Sequence, residues 1–198
     1  MMIQKSWGTV VCIASGPSLT EADCLAVKAW RDQSSKHGVI VTNTTFRLAA
    51  WADVLWAMDK KWWREHHEEV ISGFQGELAA PYSFGQDVAA LPLRDQQNSG
   101  AGAIALAMRF DAKKIILLGY DCSVSYGTHW HGDHSATGNP DAAKCEKWQA
   151  HFAGLAAAAE GHGCEIVNCS RHSELIAFRR SSLEAELADG GEACKREN

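Results

Sequence analysis

Short runs of apolar, β-branched residues alternate along the chain with longer stretches in which apolar residues recur at helical spacing. The most continuous runs cover residues 9–14 and 114–118, and such runs are typical of strands buried on both faces of a parallel sheet. We expect these two strands to lie centrally. Further strands are predicted at 39–42, 54–58, 77–81 and 165–168.

Helical patterns follow most of these strands. Thr20 is placed to cap the first helix, which is expected to run to about residue 30. The other predicted helices cover residues 60–71, 100–110, 142–160 and 173–188, with a short helical stretch ending at 52. Alternation of this kind predicts an α/β, Rossmann-like, mostly parallel sheet with helices on both faces. We expect one domain over 1–189 and a disordered polar tail over 190–198.

Polar clusters follow the predicted strands and begin the predicted helices. Open parallel sheets bind ligands at the carboxyl ends of their strands, so nucleotide-binding roles are expected for Ser15, Gly16, Pro17, Ser18, Asn43, Asn98, Ser99, Gly100 and Asp121. A glycine allows close approach to a phosphate or ribose, and a helix start favours an anion. A structural turn, a helix cap and a strand-end turn are the competing interpretations of these clusters.

A long segment without periodicity, residues 119–140, is predicted to be a loop that covers the carboxyl edge of the sheet as a lid. It contains the string Thr-His-Trp-His-Gly-Asp-His at 128–134, which matches a zinc motif of the metallo-β-lactamase superfamily. His129, His131 and Asp133 are therefore candidate metal ligands. The 64 residues that follow are too few for that fold's second half, and a solvated loop is another interpretation. General acid–base chemistry by His134 and His131, with Asp133, is preferred.

Composition narrows the possible partners. The 198 residues are 46% apolar and 22% charged, with a net charge of −5 and interspersed signs, which disfavours extended nucleic-acid binding. The seven cysteines include no Cys-x-x-Cys pair, so a reduced cytoplasmic compartment is expected. No stretch approaches the ~20 apolar residues of a membrane span. A small nucleotide remains compatible with this charge.

Six short motifs share an order and spacing with a known family: residues 11–19, Asn43 with Phe46, 98–100, 115–121, 131–135 and 168–170. The ordered set resembles the Rossmann-type group that joins Campylobacter-type CMP-sialic-acid sialyltransferases, archaeal 6-hydroxymethylpterin diphosphokinases and uncharacterised phage relatives. The resemblance implies that Ser15, Gly16, Ser18, Asn43, Ser99 and Gly100 hold the nucleotide. It also implies His134 as the general base and Tyr126 as a residue that steadies the departing phosphate.

The sequence therefore leads to one preferred function and three alternatives. The preferred one is a glycosyltransferase that uses a CMP-type nucleotide-activated sugar and an unidentified acceptor. A diphosphokinase that uses ATP and Mg²⁺, with Asp121 and Asp133 on the metal, comes second. A non-catalytic nucleotide-binding phage accessory protein and a zinc hydrolase complete the set, and an oligomer is compatible with each.

Overall fold

Eight strands form one sheet in the computed structural model, which describes residues 5–93, 97–133 and 138–192. The strands are β1 (Thr9–Ile13), β2 (His37–Thr42), β3 (Val54–Trp56), β4 (Glu77–Ala80), β5 (Val88–Ala90), β6 (Lys114–Leu118), β7 (Glu165–Asn168) and β8 (Arg179–Arg180). All are parallel, in the order β5-β4-β3-β2-β1-β6-β7-β8. The predicted α/β, Rossmann-like architecture is confirmed, with a wholly parallel sheet.

Helices cover both faces of this sheet. They are α1 (Glu21–Arg31), α2 (Lys60–Gly73), α3 (Ser99–Arg109), α4 (Ala142–Gly161) and α5 (Leu183–Glu192), with a 3₁₀ turn at Asn43–Arg47. Alternate strand residues face opposite sides, so Val10 and Cys12 pack with α3 and α4 while Val11 and Ile13 pack with α1, α2 and α5. This double burial explains the uninterrupted apolar runs of β1 and β6.

The strand order reverses at β1. The chain proceeds outward from β1 to β5 and then returns through α3 to place β6 on the other side of β1. The connections that leave the carboxyl ends of β1 and β6 therefore run to opposite sides, which opens a crevice between them. Both strands have neighbours on each side, as their apolar runs predicted.

The C-terminal region differs from the sequence prediction. A helix over 173–188 is wrong, because residues 173–178 are not helical, β8 follows, and α5 begins at Leu183. Tertiary hydrogen bonds hold the non-helical segment: the Ser173 hydroxyl donates to the Tyr120 carbonyl at 2.6 Å, and Arg180 donates to the Ser173 carbonyl at 3.1 Å. The short strand β5 was also missed, inside a predicted loop.

Residues 190–192, the first three of the predicted polar tail, belong to α5. The rest of that predicted tail, 193–198, lies outside the described residues. Among the helices that the structure describes, none combines the length and apolarity needed to cross a bilayer.

Candidate functional site

Two glycine-containing turns meet where β1 and β6 end. The Gly16 N–H donates to the Gly119 carbonyl at 2.8 Å, and Gly119 has a left-handed φ of 68°. A Cβ added at Gly16 would lie 2.5 Å from the Gly119 oxygen and 2.6 Å from Asp121 Oδ1. Because no side chain fits, the glycine at position 16 is required by the packing of two turns, before any ligand is considered.

Asp121 joins the same two turns. Its carboxylate is buried, with Oδ2 accepting from the Ser18 N–H at 2.7 Å and Oδ1 accepting from the Ser18 hydroxyl at 2.6 Å. Burial raises the pKa of Asp121, and the two Ser18 hydrogen bonds oppose that rise. The carboxylate therefore stabilises the turn that carries Ser15, and the Ser18 hydroxyl is occupied within the protein.

Arg171 holds the far side of this turn, and sequence reasoning missed it. Its guanidinium makes a bidentate pair with Asp23, with both N···O distances at 2.6 Å, and also donates to the Ser18 carbonyl at 3.1 Å. Burial alone would raise the pKa of Asp23, but hydrogen bonds from Arg171 and Thr20 hold it below its ordinary value. The loop after β7 is thereby fastened to the start of α1.

Asn43 and the start of α3 form a second group of polar residues at this edge. Asn43 has a left-handed φ of 48°, and its Oδ1 accepts from the Ser99 hydroxyl at 3.1 Å. Asn98 caps α3 through its Oδ1, which accepts from the Ala101 N–H at 2.8 Å. The Asn98 Nδ2 is buried without a hydrogen-bond partner among the described residues. That amide offers a donor to an acceptor atom of a ligand.

The histidine-containing loop contacts the first turn directly. The Ser15 hydroxyl lies 3.0 Å from His129 Nδ1, and the Trp130 N–H donates to the Ser15 carbonyl at 3.0 Å. The His129 and His131 rings are stacked nearly parallel, 5.2 Å apart. These contacts bring one histidine of the loop against the predicted nucleotide-binding serine.

Other predicted residues of this loop point elsewhere. Asp133 Oδ1 accepts from the Thr128 hydroxyl at 2.5 Å, and the 69% exposed Tyr126 stacks on His172 with ring centroids 4.7 Å apart. His134, the predicted general base, lies outside the described residues. Its relation to the cleft therefore stays a prediction.

A cleft of about 480 Å³ lies among these elements at the carboxyl edge of the sheet. The predicted residues that line it are Ser15, Gly16, Pro17, Asn43, Asn98, Ser99, Gly100, Asp121 and His129. Within the described chain, Ser18, Tyr126, His131 and Asp133 do not line it. The volume is in the range of small-molecule sites.

Several lining residues were missed by sequence reasoning, including Asp59, Lys144 and Trp148. Asp59 directly precedes α2 and caps it, with Oδ1 accepting from the Lys61 N–H at 2.7 Å. The signal that could have found Asp59 is its position soon after β3, because the other polar clusters were identified as residues that follow a predicted strand. Lys144 and Trp148 belong to α4, whose position over the cleft has no local sequence signal.

The candidate metal ligands His129, His131 and Asp133 do not form a metal-binding cluster in the described part of the chain. The rings of His129 and His131 are nearly parallel with centroids 5.2 Å apart, and Asp133 Oδ1 accepts a hydrogen bond from the Thr128 hydroxyl. Over residues 5–93, 97–133 and 138–192, no group of three or more His, Cys, Asp or Glu side chains is arranged to hold a metal ion. The described geometry thus lends no support to a three-ligand zinc site.

No family model matches this chain, and no curated protein matches it significantly.

Proposed function

We propose that this protein is a nucleotide-dependent transferase that holds its nucleotide in the cleft between the carboxyl ends of β1 and β6. The observation that carries the proposal is the convergence of Ser15, Asn43 and Ser99 on one cleft at the point where the strand order reverses. Ligands of doubly wound sheets bind at such reversals. Three motifs far apart in sequence thus contribute to one site.

The start of α3 suits a phosphate. The first backbone N–H groups of a helix have no partners within it, and the helix dipole favours an anion there. Ser99 and Gly100 line the cleft at this position, and the buried Asn98 amide lies beside them. These donors offset the negative charge that Asp59 and Asp121 contribute to the cleft.

His129 is our candidate for the acid–base group. It lines the cleft and is within hydrogen-bond distance of Ser15, so a bound acceptor would be within reach of its imidazole. In the proposed reaction the acceptor hydroxyl oxygen attacks the activated carbon of a nucleotide sugar. The proton of the acceptor hydroxyl passes to the base, and the bond between the sugar and the nucleotide phosphate breaks. His134 is the alternative base implied by the family resemblance.

The second candidate is transfer of diphosphate from Mg²⁺-bound ATP. The exposed carboxylate of Asp59 in the cleft favours it, because carboxylates and phosphate oxygens together form magnesium sites. Asp121 is less suited to this role than the sequence predicted, since both of its oxygens accept hydrogen bonds from Ser18.

A thermal-shift panel tests the proposal with CMP, UMP, ADP, ATP and GDP, each with and without Mg²⁺. A ligand at 100 times its dissociation constant stabilises the folded state by about 2.7 kcal/mol, which corresponds to roughly 5–10 °C for a chain of this size. Stabilisation by CMP without Mg²⁺ supports the sugar transferase, whereas a shift by ATP only with Mg²⁺ supports the diphosphokinase. A panel in which no nucleotide shifts the melting temperature contradicts both.

A matched pair of serine variants ties any shift to this cleft. Ser99→Ala removes a hydroxyl that joins Asn43 to the start of α3, and it is expected to reduce the shift. Ser72→Ala removes an exposed hydroxyl of α2 whose contact is the Glu69 carbonyl, and the shift should persist.

The compartment we propose is the cytoplasm. Cys12, Cys24, Cys122, Cys145, Cys164 and Cys169 are free thiols in the described chain, which is typical of a reducing compartment.

A further inference from the structure

The cleft has two chemically different walls. Hydroxyl and amide groups of Ser15, Asn43, Asn98 and Ser99 form one side, as described above. The other side is formed by the end of β6 and the first turns of α4, and it presents Cys122, Cys145, Trp148 and Phe152, with Lys144 beside them. We refer to Lys144, Trp148 and Phe152 as the α4 wall.

The length of α4 explains why this wall exists. Its 20 residues span about 30 Å, whereas the four residues of the adjacent β7 span about 13 Å. The C-terminal part of the helix packs on the sheet through Leu155 and Ala159, both buried. The preceding turns extend past the carboxyl edge, so their inward side chains face the cleft.

Spacing places the α4 wall in a single row. Lys144, Trp148 and Phe152 follow one another at four-residue intervals and therefore lie on the same face of the helix. Phe152 is 4% exposed and closes the inner end of the row, while the half-buried Trp148 lies between it and the exposed lysine. The row thus runs from an apolar interior to a positive charge at its mouth.

The two cysteines keep this side of the cleft uncharged. Burial raises the pKa of Cys122 to about 12 and also raises the pKa of Cys145, so both thiols stay protonated at neutral pH. The Cys122 thiol donates to the Cys145 carbonyl at 3.4 Å. Lys144 is therefore the fixed charge that a ligand meets on this wall.

We infer that the α4 wall is a subsite for a planar aromatic ring carrying a negatively charged group, with Trp148 packing against the ring and Lys144 pairing with the charge. Aromatic side chains bind flat rings through offset or edge contacts, and an ammonium group selects for a nearby anion. The inference rests on the proposed function in taking this cleft as a ligand site. Two sources share this chemistry: the base and phosphate of the nucleotide, and an acidic aromatic acceptor.

Calorimetric titration tests the subsite with two probes of one shape: naphthalenesulfonate, which is anionic, and naphthalenesulfonamide, which is neutral. The anion is expected to bind about 5-fold more tightly than the amide. Lys144→Met should abolish that preference, whereas Lys147→Met, on an exposed neighbouring position outside the cleft, should retain it. Trp148→Leu should weaken both probes about 10-fold.

Circular dichroism and the melting temperature establish that each variant is folded. Trp148→Phe retains an aromatic ring in the same place and should recover most of the affinity that Trp148→Leu loses. Absence of binding by either probe, equal affinity for the two probes, or wild-type binding by Lys144→Met or Trp148→Leu would overturn the inference.

Repeating the titration with saturating CMP, and with ATP, separates the two sources. Displacement of naphthalenesulfonate by the nucleotide identifies the ring as the nucleobase, and simultaneous binding identifies it as the acceptor. If no nucleotide binds but the probe still depends on Lys144 and Trp148, the proposed function fails while the subsite stands. If a nucleotide binds and the probe shows no such dependence, the subsite alone fails.

Discussion

The polar groups at the two edges of the sheet have different surroundings. At the amino edge, charged side chains pair with each other: Arg31 with Asp53 at 2.5 Å, Lys5 with Glu77 at 2.6 Å, and Glu186 with both Lys114 at 2.7 Å and Arg179 at 2.9 Å. Asp53 also accepts from the Val39 N–H at 2.8 Å. Asp53, Glu77, Lys114 and Arg179 lie at or next to the start of a strand, and their partners come from α1, from α5 and from the segment before β1.

At the carboxyl edge, polar groups surround an open space. Asn43 and Cys122 line the cleft with left-handed φ values of 48° and 49°, a conformation that costs non-glycine residues free energy. The Asn98 Nδ2 atom is buried without a hydrogen-bond partner in the described chain. Two of the three non-glycine residues with left-handed φ in the described chain thus lie where we propose that the ligand binds, together with a buried amide donor that has no partner there. An ion pair of this edge, Arg171 with Asp23, lies outside the cleft lining.

The largest expected effect is at the meeting of the two glycine turns. Gly16→Ala places a methyl group against the Gly119 carbonyl and the Asp121 carboxylate, and one of the turns must move. We expect a loss of about 3 kcal/mol in the free energy of unfolding, measured by chemical denaturation. Gly154→Ala is the control, because nothing lies within 4 Å of its added Cβ, and a helix interior gains about 0.5–1 kcal/mol from this change. Similar effects of the two variants would contradict the packing argument.

The ion pairs of the amino edge should make the free energy of unfolding fall at acidic pH. Burial alone would raise the pKa of Glu186, but hydrogen bonds from Arg179 and Lys114 lower it from 4.5 to about 2. A lowered pKa contributes stability above 4.5 that is lost as the pH falls towards 2. Glu186→Gln is therefore expected to cost about 2 kcal/mol at neutral pH and to flatten the stability profile across that range. Chemical denaturation at a series of pH values measures this decline. If Glu186→Gln loses as much stability on acidification as the wild type, Glu186 is not the source of the acid sensitivity.

The carboxyl edge should show the opposite pH dependence at Asp121. Its raised pKa means that its contribution to stability is full below 3.8 and is lost as the pH rises through the folded-state value. Asp121→Asn removes this dependence and leaves one Ser18 donor without an acceptor, at a cost of about 1–2 kcal/mol. Denaturation at a series of pH values measures both effects, and a variant with a steeper decline on raising the pH contradicts the assignment.

The smallest expected change in stability comes from relieving the left-handed residues. Asn43→Gly loses the Ser99 hydrogen bond and gains backbone freedom, so the free energy of unfolding should change by less than about 1 kcal/mol while nucleotide-induced stabilisation falls. Asp111→Gly, with φ of 62° at the end of α3, is the matched variant at the amino edge. It should leave the nucleotide shift intact. Equal loss of the shift in both variants would remove the distinction between the edges.

Much of the carboxyl edge could be predicted from the sequence. Parallel strands that are buried on both faces consist of consecutive apolar residues, and the polar residues that follow such a run lie at the carboxyl edge. That rule found Ser15, Asn43 and the start of α3. It did not reveal that Ser18 and Asp121 bind each other, since their contact joins residues 103 positions apart.

The parts that could not be predicted depend on tertiary placement. The strands β5 and β8 have three and two residues, too few to show a period. The Arg171–Asp23 pair and the overhang of α4 follow from where whole elements end relative to the sheet. Ser173 and Arg180 bind carbonyls of neighbouring loops, which overrides the helical pattern around them.

Hydrogen exchange with and without saturating CMP compares ligand protection at both edges of the sheet in one experiment. With CMP bound, we expect slower exchange in the segments that form the cleft, residues 14–18, 42–47, 97–103 and 118–130. Exchange at the amino-edge segments 31–37 and 109–114 should be unchanged. Protection confined to the amino edge, or the absence of any protection with CMP, UMP, ADP, ATP and GDP, would contradict the assignment of this cleft as the nucleotide site.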